Sequence, residues 1–260
     1  MLCLPGLTRN SRDFEFIAAH MAVSRRVLVA DLRGRGKSAY AKDPRRYTVA
    51  VEAADMLRLL DDAGAGKVII LGTSRGGIVA MTVAATRPDI LRGVILNDIG
   101  AEIDALGLSR IVEFIGRETP FPNWNAASQS LKRTYAGAFP DVSDSRWLTF
   151  ARAIYRDENG VIIPDYDPAL AVSVRESSPN AGPHGPGVPL WPLFSTLASL
   201  PTLVLRGENS DLLSDATVEK MRAQKRDLET EVIRRRGHAP FLDEPESIAA
   251  IDEFLEKIVR

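Results

Sequence analysis

Only one cysteine, Cys3, occurs in the 260 residues. An intrachain disulfide is therefore impossible, and a zinc site built from cysteines is excluded. This usage fits a reducing compartment. Long apolar runs are also missing: no stretch approaches the ~18 residues that span a bilayer. The opening residues, Met1 to Gly6, have no basic n-region and too short an apolar core for a signal peptide. A cytoplasmic protein without a membrane partner is expected. Neither sign of charge dominates, since 33 Lys and Arg face 34 Asp and Glu for a net charge of -1. Nothing in that balance advertises nucleic acid as a partner. No internal repeat or low-complexity run is present.

What is there suits a globular fold. Hydrophobic residues make up 45% and charged residues 26%, enough for a sizeable core. The length fits one domain, or one domain carrying a large insertion. Short apolar runs at Leu2–Leu4, Val27–Ala30, Val68–Leu71, Val94–Leu96, Thr202–Leu205 and Glu231–Ile233 read as strands. Helical spacing separates them at Asp13–Met21, after a Thr48 cap, and over Ile78–Thr86, Ser214–Gln224 and Pro245–Val259. This alternation predicts an α/β fold, a mostly parallel sheet flanked by helices. From about 101 to 195 the alternation stops and helices with loops are expected. The reading is a core of 1–100 and 196–260 with a helical insertion at 101–195.

One motif carries chemistry. Gly72-Thr73-Ser74-Arg75-Gly76 matches G-x-S-x-G, with an apolar strand before it and a helix after it. A nucleophile on so sharp a turn needs small neighbours, and the helix N-terminus behind it offers N–H groups to a developing oxyanion. A serine hydroxyl needs a base, and there are three histidines. His20 lies near the end of an amphipathic helix and reads as a surface or packing residue. His184 sits in a Gly/Pro-rich loop and reads as solvated. His238 follows a strand and precedes a helix, where α/β sheets place their sites. It is the expected base.

The third member should orient the imidazole. Asp211, after the strand Thr202–Leu205, is the first choice because the order is nucleophile, acid, histidine. Asp98, just after the strand ending at Leu96, is the alternative acid, and Glu208 a weaker one. Gly36-Lys37-Ser38 resembles the end of a phosphate-binding loop, but Asp31 stands where its first glycine belongs. Arg33 and Arg35 read as solvated loop arginines, with anion binding as the alternative.

Together, Gly72–Gly77, Asp31–Gly36, Leu205–Asp211 and Gly237-His238 resemble the α/β-hydrolase superfamily, and within it the capped esterase, lactonase and carbon–carbon-bond hydrolase branch. The resemblance covers nearly the whole chain. It implies an oxyanion hole from two backbone N–H groups, those of Leu7 and Arg75. Many members carry His-Gly where this chain has Pro5-Gly6. It also implies two strands ahead of Leu2–Leu4, which this sequence does not contain; either the true start lies upstream, or Val27–Ala30 is expected at an uncovered sheet edge.

The insertion resembles the family's helical cap. It holds 11 of the 17 aromatic residues, Trp124, Trp147 and Trp191 among them. These are expected to divide between a cap core and a largely hydrophobic pocket. The expected activity is cleavage of an ester or lactone of a small, largely apolar molecule through an acyl-enzyme. No cofactor or metal enters this reading. The alternatives are a carbon–carbon hydrolase acting on a diketone, a proline-type aminopeptidase and a non-catalytic receptor on the same fold. Ser74 argues against epoxide hydrolase and dehalogenase chemistry, whose elbows carry aspartate.

Overall fold

The computed structural model describes residues 1–117, 119–177 and 187–259. His184 and most of the stretch Ser178–Pro189 lie outside the described residues. The first part of the chain alternates β1 (Leu2–Leu4), α1 (Glu15–Ala22), β2 (Leu28–Val29), α2 (Val49–Asp62), β3 (Val68–Thr73), α3 (Arg75–Thr86) and β4 (Leu91–Asn97). Short pieces then follow: β5 (Glu102–Ile103), α4 (Ala105–Phe114), α5 (Trp124–Tyr135), α6 (Asp144–Ile154), β6 (Tyr155–Glu158), β7 (Val161–Pro164), α7 (Leu170–Ser177), β8 (Val188–Pro189) and α8 (Trp191–Ser195). The alternation resumes with β9 (Thr202–Gly207), α9 (Asp215–Gln224), β10 (Glu229–Ile233) and α10 (Pro245–Val259).

Among the described residues the main sheet has six strands in the order β10-β9-β4-β3-β1-β2, every neighbouring pair parallel. The central strands are continuous apolar runs because both faces are covered. Their side chains alternate between two cores. Leu2, Leu4, Ile70, Val94, Leu96 and Val204 enter one, while Cys3, Ile69, Leu71, Ile95, Leu203 and Leu205 enter the other. Burial pushes the Cys3 thiol up to about 12, so it is an inert core residue. β2 lies at one edge of the sheet.

Capping explains where the helices begin. Thr48 Oγ1 accepts from the Val51 N–H at 3.3 Å to start α2, and Ser214 Oγ accepts from the Thr217 N–H at 3.2 Å to start α9. No helix among the described residues is long and apolar enough to cross a membrane.

The insertion is not purely helical. β6 and β7 form an antiparallel hairpin closed by Asn159-Gly160, with φ of 57° and 85°. An Asn-Gly pair between short extended runs is the strongest local hairpin signal, because both residues tolerate positive φ. It was present in the sequence. β5 and β8 make a second small pair.

The strand-to-helix turn between β3 and α3 depends on close backbone approach. A Cβ at Gly72 would lie 2.5 Å from the Gly76 backbone, and one at Gly76 would overlap the Leu4 carbonyl. Neither backbone can swing away as a side chain could. Gly76→Ala is expected to destabilise the fold by about 3 kcal/mol. A thermal melt indistinguishable from wild type would contradict this packing.

Candidate active site

Ser74 occupies the turn between β3 and α3 with φ of 50° and ψ of −115°. This sparsely populated conformation costs of order 1–3 kcal/mol and persists only where its surroundings impose it. Here the Ser74 N–H donates to the Asn97 carbonyl of β4 at 3.0 Å, while its carbonyl accepts from the Gly77 and Ile78 N–H groups.

His238 Nε2 lies 2.9 Å from Ser74 Oγ, and His238 Nδ1 lies 2.7 Å from Asp98 Oδ2. A carboxylate only accepts, so Nδ1 carries the proton. Nε2 is then free to accept from the serine hydroxyl. The histidine loop is held from several sides. Asn97 Nδ2 donates to the Pro240 carbonyl at 3.1 Å, and the Asn209 N–H donates to the Arg236 carbonyl at 2.8 Å. Arg236 itself pairs with Glu244 at 2.9 Å.

Asp98 and not Asp211 is the carboxylate on His238, which corrects the first choice. Asp98 follows β4, is fully buried, and has φ of 54°. Besides the imidazole, it accepts from the Gly207 N–H at 2.7 Å and from Ser210 Oγ at 2.6 Å. The end of β9 and the loop after it, expected to supply the acid, supply hydrogen-bond donors to Asp98 instead. Asp211 pairs with Arg110 at 2.5 Å, an arginine that is 59% exposed. Glu208 accepts from the Arg235 N–H at 2.7 Å.

The serine opens into a cavity of about 1130 Å³ between the sheet and the insertion. Gly6, Leu7, Phe150, His238 and Phe241 are part of its wall. A Cβ at Gly6 would stand 3.8 Å from Ser74 Cβ, so the loop after β1 passes beside the serine. Arg75 is the first residue of α3, where helical N–H groups have no partner within the helix.

A model of the alpha/beta hydrolase family matches residues 1–251. The chain belongs to this family. It is 32% identical over 258 residues to the 3-hydroxybutyrate-oligomer hydrolase of Cupriavidus necator, covering 98% of this chain and 87% of that protein. It is 26% identical to the 2-(acetamidomethylene)succinate hydrolase of Mesorhizobium japonicum, with coverage of 98% and 87%. Among solved structures, an alpha/beta hydrolase from Novosphingobium aromaticivorans superposes with a TM-score of 0.89 at 42% identity, covering 98% of this chain and 88% of the other. The six-stranded sheet with its helical insertion is thus an α/β-hydrolase fold.

His20 is exposed, with Nε2 3.0 Å from Asp252. The Asp31–Ser38 motif is a structural turn in which Asp31 accepts from the Ser11 and Lys37 N–H groups at 2.7 and 2.8 Å. Gly34 and Gly36 take φ of 75° and 54° there. Arg33 forms a bidentate pair with Asp55 at 2.7 Å. Arg35, expected in solvent, is wholly buried against Glu52. Sequence reasoning missed that pair. Its signal was Glu52, an acidic residue in register with the apolar face of α2 formed by Ala53, Met56 and Leu60.

The aromatics divide. Trp147 is 1% exposed and packs edge-on to Phe139 and Phe150 in the core of the insertion. Phe150 and Phe241 reach the cavity, and their rings carry the guanidinium groups of Arg9 and Arg146 at 4.2 and 4.4 Å.

Proposed function

We propose that this hydrolase cleaves carboxylic esters or lactones with Ser74 as nucleophile, His238 as base and Asp98 as the orienting carboxylate. The hydrogen-bonded chain from Asp98 through His238 to Ser74, opening on a large cavity, carries this reading. Ser74 Oγ attacks the carbonyl carbon while its proton passes to His238 Nε2. The oxyanion is held by the Leu7 and Arg75 N–H groups, each donor contributing about 3 kcal/mol. The imidazolium then protonates the departing alkoxide, leaving an acyl-enzyme. Water gives its proton to His238 and attacks the acyl carbon, and Ser74 leaves with that proton. Asp98 keeps the imidazole in the required tautomer and stabilises its cation.

Phe150 and Phe241 in the cavity wall support a substrate with an apolar acyl portion, and the arginines beside them, Arg9 and Arg146, leave the same wall room for polar groups. The likeness to a 3-hydroxybutyrate-oligomer hydrolase supports short hydroxyacyl esters as members of that class. The test combines a fluorophosphonate probe with a panel of p-nitrophenyl esters, 3-hydroxybutyryl esters and lactones. Phosphonylation mapped to Ser74, with turnover of short esters, is expected. Absence of both would favour a non-catalytic ligand-binding protein.

Chain-length preference should follow the cavity aromatics rather than the insertion's core. Phe241→Ala is expected to shift relative rates towards longer acyl groups. Trp147→Ala should instead cost about 3–5 kcal/mol of stability through the cavity it leaves. Rates on a chain-length series, read beside thermal melts, separate the two. A selectivity change from Trp147→Ala without loss of stability would reverse the assignment.

A further inference from the structure

Two charged side chains behind the site take no part in the reaction above, yet both are wholly buried: Arg35 and Glu52. Glu52 Oε1 accepts from Arg35 Nη1 at 2.6 Å, and Glu52 Oε2 accepts from Arg75 Nε at 2.7 Å. Arg35 Nε donates to the Leu7 carbonyl at 2.7 Å. Arg75 Nη2 donates to the Tyr47 carbonyl at 2.8 Å. One carboxylate therefore bridges two guanidinium groups. One guanidinium grips residue 7 and the other belongs to residue 75.

We propose that Glu52 and Arg35 are positioning residues that fix the Leu7 amide relative to the Arg75 amide, setting the geometry of the oxyanion hole. This rests on the assignment of Ser74 and those two amides above. Leu7 lies in the loop after β1, outside any strand or helix, so no backbone ladder holds it against α3. The Arg35–Glu52–Arg75 bridge supplies that link through side chains. Such a bridge is an expensive way to fill a core. Buried ion pairs are commonly matched or exceeded in stability by apolar residues of the same volume. Moreover, Arg35 Nη2 is buried with no hydrogen-bond partner among the described residues. What the network provides that an apolar core does not is a directional hold on residues 7 and 75. Preorganised donors stabilise an oxyanion only where their N–H groups meet it without rearrangement.

Glu52→Gln retains the shape and one accepting oxygen but turns an amide NH₂ towards a guanidinium, breaking one link of the bridge. It is expected to lower kcat by about 10–100-fold, a partial loss of what one oxyanion donor supplies, with KM changed less than about threefold. Affinity for a trifluoromethyl ketone, whose serine adduct carries the oxyanion, should fall by the same factor as kcat/KM. Affinity for the product acid should not change. If Glu52→Gln does not fold, Arg75→Lys serves instead, since it preserves the backbone amide and the charge facing Glu52. It should show a smaller loss with the same parallel. Wild-type kcat in the folded variant, or lowered kcat with undiminished trifluoromethyl ketone affinity, overturns the proposal. Ser74→Ala in the same assays separates the two claims. An active Ser74→Ala overturns the nucleophile assignment, whereas an inactive one beside an unaffected Glu52→Gln overturns only the positioning role.

Discussion

Under the proposed ester hydrolysis, Ser74→Ala is expected to lower kcat by about 10⁶-fold, because triad members act as a unit and little catalysis survives loss of a nucleophile. The fold should survive. Among the described residues the hydroxyl bonds only to His238, and the backbone bonds of Ser74 to Asn97, Gly77 and Ile78 do not involve it. Alanine also meets the same backbone conformation as serine at φ of 50°. Single-turnover kinetics on purified variant, with a thermal melt as control, check the result. Near-wild-type turnover would require another nucleophile.

Asp98→Asn should be the next largest effect, about 10³–10⁴-fold in kcat. An amide at this position can present N–H to the imidazole, which favours the tautomer with its proton on Nε2. That tautomer cannot accept from Ser74. The imidazolium formed in the reaction also loses its anionic partner. Stability should fall as well, because the Gly207 N–H and Ser210 hydroxyl both donate to the present carboxylate. Asp211→Asn should leave kcat within about twofold, since it removes only a partly exposed ion pair of the kind that contributes little. Steady-state kinetics on both variants decide the ranking. A large effect at Asp211 with a small one at Asp98 would move the acid to the loop after β9.

Local pattern alone determined much of this protein. Continuous apolar runs at Val68–Leu71 and Val94–Leu96, set between helical stretches, read as strands covered on both faces, and β3 and β4 hold them. The glycines around Ser74 pointed to a tight turn, and Gly72 and Gly76 do sit where backbones touch. A histidine between a strand and a helix marked the other side of the same site. These features are local because propensity, glycine geometry and burial act over a few residues. Asn159-Gly160 is a local signal of the same kind, a hairpin turn that the expectation of helices and loops for 101–195 passed over.

Tertiary structure decided which carboxylate meets His238. Asp98 and Asp211 both follow strands, both lie between Ser74 and His238 in the chain, and both sit where loops open towards one end of the sheet. Only the order β9-β4-β3, with the positive φ at Asp98, turns its carboxylate under the imidazole. Arg110, a residue of the insertion, engages Asp211 instead. The same holds for Arg35 and Glu52. One lies in a glycine-rich turn that looks solvated, the other in a helix 17 residues away. Their pairing depends on α2 packing behind that turn and on Leu7 and Arg75 arriving from two further elements. No local rule encodes it, because a buried charge is placed by the partners that long-range packing brings to it.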